Sequence, residues 1–303
     1  MSVLEDFAAD CRTRGLAELS VETYLRNVRL FQKFLQASGK DLLQVDRLDV
    51  RDYIEEMRRR GITSNSIKYR LAALSALYEW LIFEGRVHRN PISEVRKRYM
   101  SRYKNDGECQ THKLISVEEA AALVDALVDV RDKAIVLLFL KTGIRRGELV
   151  SLDVDSVNWK DQSLILKSTR KRSNRIVFFD DEAAFYLKRW LEVRKGRGGS
   201  DGKALFLSTQ ERRLSGRGID YMIRRAALRA GLYDPSSDRL EDHFTAHCCR
   251  HWHATHLLRA GMKTQYVEWL RGDSIKRAVG IYFHIDPEDV RKQYLAHIPQ
   301  LGI

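Results

Sequence analysis

Residues Ala134–Leu140 read Ala-Ile-Val-Leu-Leu-Phe-Leu, the longest apolar run of the chain, and Gly143 follows shortly after. The run is far short of the roughly 18 residues that a membrane span needs. A helix that is apolar on every side is a buried helix, and a glycine just beyond it supplies the stop. The chain therefore has to build a core around this segment. Whatever follows Gly143 leaves that core in a tight, rigid turn, and in Thr142-Gly143-Ile144-Arg145-Arg146-Gly147-Glu148-Leu149 that residue is Arg145.

The segments around this helix have readable elements. Ser116-Val117-Glu118-Glu119 is an S-x-x-E capping box that opens the run of helices ending near Thr142. Strand signals follow in Ser163–Lys167 and Arg175–Phe179, with a polar turn between them, so a hairpin is predicted. Asp180-Asp181 then caps a helix to about Val193, residues 196–203 are glycine-rich, and helices are predicted near 216–231, 244–260, 263–270 and 287–296.

The first ninety or so residues also read as helices. Ser20 is placed to cap a helix over Val21–Ala37, whose apolar face is Tyr24, Val28, Phe31 and Leu35. A second runs over about Val50–Arg60 to Gly61. Ser64 opens a third, with Ile67, Leu71, Leu74, Leu77, Tyr78 and Leu81 on its buried side, ended by Gly85. Asn90-Pro91 starts an extended turn. Residues 96–113 are basic and poor in large apolar side chains, as an inter-domain linker would be. The expected architecture is a two-domain clamp, mainly α with a small antiparallel β-sheet: a helical domain over 1–95, a linker over 96–113 and a mixed domain over 114–303.

The formal net charge of +12 favours a polyphosphate partner. The basic residues cluster: Arg96, Lys97, Arg98, Arg102 and Lys104; then Lys167, Arg170, Lys171, Arg172 and Arg175; then Arg212, Arg213, Arg217, Arg224, Arg225 and Arg229. On the first domain Arg26, Arg29, Lys33, Lys68 and Arg70 suit a bundle whose polar faces grip a duplex. The four cysteines, Cys11, Cys109, Cys248 and Cys249, have no disulfide-framework spacing. The N-terminus lacks the basic and apolar regions of a secretory signal. A reduced intracellular protein acting on double-stranded DNA is expected, with no membrane partner.

Five residue types scattered over the second domain fit DNA strand cleavage. His247-Cys248-Cys249-Arg250 places a histidine and an arginine three apart, hence on one helix face. Two arginine forks, Arg145 and Arg250, can neutralise one phosphate, which is most of what phosphoryl transfer asks of a protein. Tyr282 supplies a hydroxyl with a pKa of about 10 that needs a proton acceptor to attack. His247 can take that proton, and a hairpin lysine can protonate the departing sugar oxygen. The hairpin offers Lys167 and Lys171; Lys171, closer to the turn, is favoured. His243, His247 and His251 recur every four residues, but a zinc site usually draws ligands from more than one element, so no metal is expected.

Thr142–Leu149 resembles the first arginine box of the tyrosine recombinases, the phage-type integrases. His247-x-x-Arg250-His251 with Ala254-Thr255 resembles their second box, and Leu270-Arg271-Gly272-Asp273-Ser274-Ile275 with Tyr282 resembles their nucleophile segment. The N-terminal bundle is similar to their core-binding domain, so the resemblance spans nearly the whole chain. It implies that Arg145 and Arg250 bind the scissile phosphate, that His247 transfers a proton, and that Tyr282 becomes linked to a DNA 3′-phosphate. Glu148 is implied to support the first arginine box. No cofactor is implied, because the phosphotyrosine stores the bond energy. Nine residues before Tyr282, where the family carries histidine or tryptophan, this chain has Asp273. A carboxylate there either holds His247 or an arginine in place or leaves the family's contact to come from elsewhere, and activity is expected to survive. The lysine also departs from the pattern, because the family position falls near Thr169 or Arg170.

The expected function is that of a site-specific recombinase or integrase, a homotetramer on synapsed DNA in the cytoplasm of a prokaryotic host. The helix after Asp286-Pro287 packs either on its own domain or on a neighbouring protomer. A type IB-like topoisomerase, a non-catalytic DNA-binding protein on the same fold and a metal-dependent nuclease are the alternatives. Tyr294 is a second candidate nucleophile, at a spacing from the second box that is wrong for the family.

Overall fold

The computed structural model describes residues 2–100, 113–167, 175–197, 202–237, 239–272 and 285–303. The chain divides into two units, Met1–Glu108 and Cys109–Ile303.

The first unit is a helical bundle: α1 (Val3–Thr13), α2 (Glu18–Gln36), α3 (Arg47–Arg59), α4 (Ser64–Phe83) and α5 (Pro91–Tyr99). Its core gathers Phe7, Val28, Phe31, Leu35, Ile54, Leu71, Leu74, Tyr78 and Leu81. The apolar stripes of α2 and α4 are those expected, but the caps are not all so. α2 begins three residues before Val21 with no side-chain cap, so Ser20 lies inside the helix. α3 begins at Arg47 because Asp46 accepts the N–H groups of Leu48 and Asp49. α5 continues through Arg96, Lys97 and Arg98 to Tyr99, and Met100 is buried. The start of the basic stretch thus packs on the bundle. Arg26, Arg29 and Lys33 are exposed along α2, while Lys68 and Arg70 on α4 are half-buried.

The second unit is built around the apolar run. α7 (Val130–Thr142) has every residue from Ala134 to Thr142 buried. It packs between α6 (Val117–Asp125), α9 (Asp181–Lys195) and α11 (Ala246–Arg259). Each fully buried Leu or Phe here contributes roughly 1.5–3 kcal/mol. The Ser116 capping box opens α6 as expected, with Glu119 bonded back to Ser116 N. α8 (Arg146–Val150) follows α7 after three residues. A three-stranded antiparallel sheet comes next, β1 (Val157–Asn158), β2 (Ser163–Leu166) and β3 (Arg175–Phe178), in sequence order. β2 and β3 pair with Leu166 opposite Arg175. The short β1 was not foreseen; two residues carry too little alternation to register.

α10 (Gly216–Arg229), α12 (Thr264–Arg271) and α13 (Pro287–His297) complete the unit. A smaller apolar cluster of Phe178, Leu257, Met262, Val267, Leu270, Val290, Tyr294 and Ile298 joins β3, α11, α12 and α13. It fixes the end of α12 over the sheet. No helix among the described residues is long and apolar enough to cross a membrane. Cys11, Cys248 and Cys249 are buried free thiols.

Candidate active site

Gly143 ends α7 with φ +59°, the left-handed conformation that a side chain resists. A Cβ at that position would stand 2.6 Å from Cδ2 of His253. The turn therefore has room for glycine alone, and it delivers Arg145 as the residue that caps α8. Glu148, three residues on, accepts the Arg145 backbone N–H at 2.6 Å on Oε2 and Arg145 Nη1 at 3.4 Å on Oε1. Glu148 thus makes the return half of a capping box, and its carboxylate holds both ends of the arginine.

Arg250 enters from α11 and is 4% exposed. Its Nη1 donates to Gly143 O at 2.5 Å and its Nη2 to Arg271 O at 2.7 Å. Arg145 Nη1 donates to the same Arg271 carbonyl at 3.4 Å. Two guanidinium groups from elements about a hundred residues apart thus meet at one oxygen, the last carbonyl of α12. The last carbonyls of a helix have no intrahelical partner and carry the negative end of its dipole, so cations suit them. Gly272 then caps α12 in the left-handed conformation, with φ +61°.

A third arginine joins this group. Arg175, the first residue of β3, donates through Nη1 to Leu270 O and through Nη2 to Glu148 Oε2 at 2.7 Å. The sequence groups it with the basic cluster of Lys167, Arg170, Lys171 and Arg172, which suits a polyphosphate partner. The structure corrects this: its side chain is 10% exposed and bonded to protein at both ends of the fork. Side chains two apart on a strand share a face. The fully buried Val177 was therefore the available signal that Arg175 points inward.

His247 and His251 lie on the exposed side of α11, their rings edge-to-face at 5.5 Å. His247 stands one turn before Arg250. His253 is on the opposite, buried side. Its Nδ1 bonds with Leu140 O at 3.1 Å, and its Nε2 has no hydrogen-bond partner among the described residues. Burial, reinforced by Arg250, Arg175 and Arg271, lowers its pKa to about 3, against an opposing pull from the Leu140 carbonyl. It is a neutral wedge between α7 and α11. Among the described residues no group of three His, Cys, Asp or Glu side chains is set to hold a metal ion.

Lys167 forms an ion pair with Asp153, which also accepts Arg213 Nη2 at 2.6 Å. Hydrogen bonds from Lys167 and then Arg213 hold the Asp153 carboxyl below the usual carboxylate range. Lys171, Asp273 and Tyr282 lie outside the described residues. Tyr294 is fully buried in α13, its ring centroid 6.3 Å from that of Phe178, and burial raises its pKa well above the ordinary value. A phenol so placed is a core residue, not a nucleophile. The chain's end is tied to its own unit: Lys141, fully buried, donates to Asp180, Glu182 and Pro299 O, each at 2.6 Å. Glu182 in turn accepts the N–H groups of Leu301 and Gly302.

α10 presents Arg217, Arg224, Arg225 and Arg229 on an exposed face. Arg224 lies over Tyr233 at 4.7 Å and Arg225 over Tyr221 at 5.6 Å. Planar cations braced on aromatic rings make an anion-facing surface.

The family model described as Phage integrase family matches residues 113–289, and that described as Phage integrase, N-terminal SAM-like domain matches residues 4–85. Tyrosine recombinase XerD of Ralstonia nicotianae is 28% identical over 292 residues, covering 94% of this chain and 90% of the relative. Tyrosine recombinase XerC of Xanthomonas campestris pv. campestris is 26% identical, covering 99% and 89%. Among solved structures, the Tn1549 transposon integrase in complex with circular intermediate DNA superposes with a TM-score of 0.68 at 21% identity, over 97% of this chain and 99% of that one. A lambda integrase dimer bound to a COC′ core site gives 0.70 at 17% identity, over 90% and 94%. At those identities the structural likeness speaks to the fold.

Proposed function

This chain belongs to the phage integrase family, the tyrosine recombinases, and from that premise we propose how its residues cut and rejoin DNA. It is a site-specific DNA recombinase, as its relatives named tyrosine recombinase are. The reading rests on Arg145 and Arg250 converging on Arg271 O, two residues before Asp273.

Arg145 and Arg250 clasp the scissile phosphate, and their charge counts most as negative charge builds on its oxygens in the transition state. Tyr282 Oη attacks phosphorus while the bond from phosphorus to the 5′ oxygen breaks. His247 takes the tyrosine proton, and Lys171 gives a proton to the departing 5′ oxygen, which leaves as a hydroxyl. The product is a 3′-phosphotyrosine, and a 5′-hydroxyl of another strand reverses the attack. Asp273 orients one of the cationic groups. Each step exchanges one phosphodiester bond for another, so the bond energy is conserved and neither ATP nor metal is required. The exposed arginines of α10 and the basic residues of α2 contact the DNA backbone. Strand exchange between two duplexes calls for four protomers on the synapsed DNA.

Two plasmids of different size carrying the same target duplex, incubated with the protein in excess chelator and without nucleotide, test this. Covalent joining of the two plasmids is expected. Relaxation of supercoils with no joined product would instead identify a type IB-like topoisomerase, and loss of all cleavage on chelation would identify a metal-dependent nuclease.

A further inference from the structure

Arg175 is bonded to Glu148, which holds Arg145, and to the last turn of α12, whose end carbonyl receives Arg145 and Arg250. One end of its fork meets Glu148 Oε2 at 2.7 Å, the oxygen that also accepts the Arg145 backbone N–H at 2.6 Å. The other end meets Leu270 O, one residue before the carbonyl that receives Arg145 and Arg250. Its stem fills the space over Gly272, where a Cβ would stand 2.5 Å from Arg175 Cδ. The side chain is 10% exposed and Glu148 is 14% exposed, so this ion pair is shielded from solvent and its geometry is fixed by packing. β3 anchors the Arg175 backbone through its pairing with Leu166.

We propose that Arg175 is a positioning residue for strand cleavage, a bidentate strut that sets the first arginine box at a fixed distance from the end of α12. The proposal rests on the recombinase reading above. A planar guanidinium places donors on two nitrogens a fixed distance apart and so reaches Glu148 and Leu270 O from one rigid fork, a span that the single nitrogen of an ammonium or amide does not reproduce. Glu148 Oε2 is held by both the Arg145 N–H and Arg175 Nη2, which fixes the carboxylate's orientation. With the strut gone, Glu148 loses the Arg175 guanidinium, and the Leu270 carbonyl loses its cation. Arg145 and Arg250 then share a less defined site, and small misplacements of catalytic groups cost rate far more than binding.

The test compares Arg175→Gln and Arg175→Lys with the unaltered protein, alone and combined with Glu148→Gln. The DNA probe is the duplex that the unaltered protein enriches from a random-sequence library, nicked near the cleavage point to trap the adduct. Expected are DNA affinity close to the parent's, a lowered melting temperature because a shielded ion pair is broken, and adduct formation slowed about 100-fold in both variants. Adding Glu148→Gln to Arg175→Gln is expected to slow it little further, because both act through one link. In the absence of DNA, amide hydrogen exchange in Arg175→Gln is expected to rise in α8 and in the last turn of α12 and to stay unchanged in α6. Cleavage at the parental rate, equal losses in binding and cleavage, full activity in Arg175→Lys, or unchanged exchange at both segments would each overturn the proposal. If the unaltered protein forms no adduct, the recombinase reading fails, while the exchange measurement still decides whether Arg175 joins the two segments.

Discussion

His253 gives a stability prediction whose size follows from the structure. The imidazole is buried between α7 and α11 and its pKa falls from the ordinary 6.5 to about 3. A base whose folded pKa lies below its unfolded one takes up a proton more readily in the unfolded chain. The stability tied to this group is therefore complete above pH 6.5 and is lost as pH falls toward 3. Between pH 7 and pH 5 the unfolded imidazole goes from mostly neutral to almost fully charged, while the folded one stays neutral. At 1.36 kcal/mol per unit this costs about 2 kcal/mol over that interval. The groups facing His253 do not soften the effect: Arg250, Arg175 and Arg271 repel a proton there, and Tyr294, whose ring centroid is 6.2 Å away, stays neutral in this range.

His253→Phe removes the titration and keeps a planar ring against the Gly143 turn. Urea unfolding of the full chain at pH 7 and at pH 5 can be followed by tryptophan fluorescence, with Trp252 adjacent to the altered residue. Whatever the substitution does at pH 7, the variant is expected to gain about 2 kcal/mol on the parent at pH 5. Only the change with pH matters, so a constant packing penalty cancels. Parallel acid losses in the two proteins would refute the account of His253 as a neutral buried wedge.

Lys141→Met strips the cation from Asp180 and Glu182 in a buried site, and breaking such a pair costs roughly 3–5 kcal/mol. Burial raises the Glu182 carboxyl, but Lys141 and the N–H groups of the chain's end outweigh it and hold it below its usual range. The Lys141→Met loss, read by thermal melting, is therefore full above the ordinary glutamate range and shrinks as pH falls through the folded value of Glu182. Between the hairpin lysines, Lys171→Ala is expected to slow adduct formation at least about 100-fold, as loss of a general acid does. Lys167→Ala, removing a half-exposed partner of Asp153, is expected to leave the cleavage rate on nicked duplex close to the parent's; the reverse ranking would reassign the general acid.

The fold was legible where one face of an element decides its fate. The stripes of α2 and α4 and the apolar run of α7 announced their burial, and the hairpin was placed to within a residue. Helix starts were less legible, since Asp46 and Ser20 are equally good caps on paper and only tertiary packing chose between using one and passing over the other. The arginine boxes could be read from residue order, and the meeting of Arg145 and Arg250 at Arg271 O is a contact that order anticipates without locating. The supporting residues were harder. Arg175 sat in a basic stretch that composition assigns to the surface, and its inward face shows only through Val177. His253 belonged to a segment crowded with histidines, where Cys249 and Leu257, four residues to either side and fully buried, mark its stripe as the core one. Lys141 sat at the end of an apolar run, and its partners are about forty and a hundred and sixty residues away, beyond the reach of any local pattern.

The central claim is that Tyr282 severs the strand by becoming linked to it. The direct measurement is mass spectrometry of the protein–DNA species that survives denaturation after incubation with nicked target duplex in chelator. The account predicts a DNA 3′-phosphate on the peptide containing Tyr282 and no adduct with Tyr282→Phe. An adduct that persists in that variant, or that maps to any other residue, would contradict it.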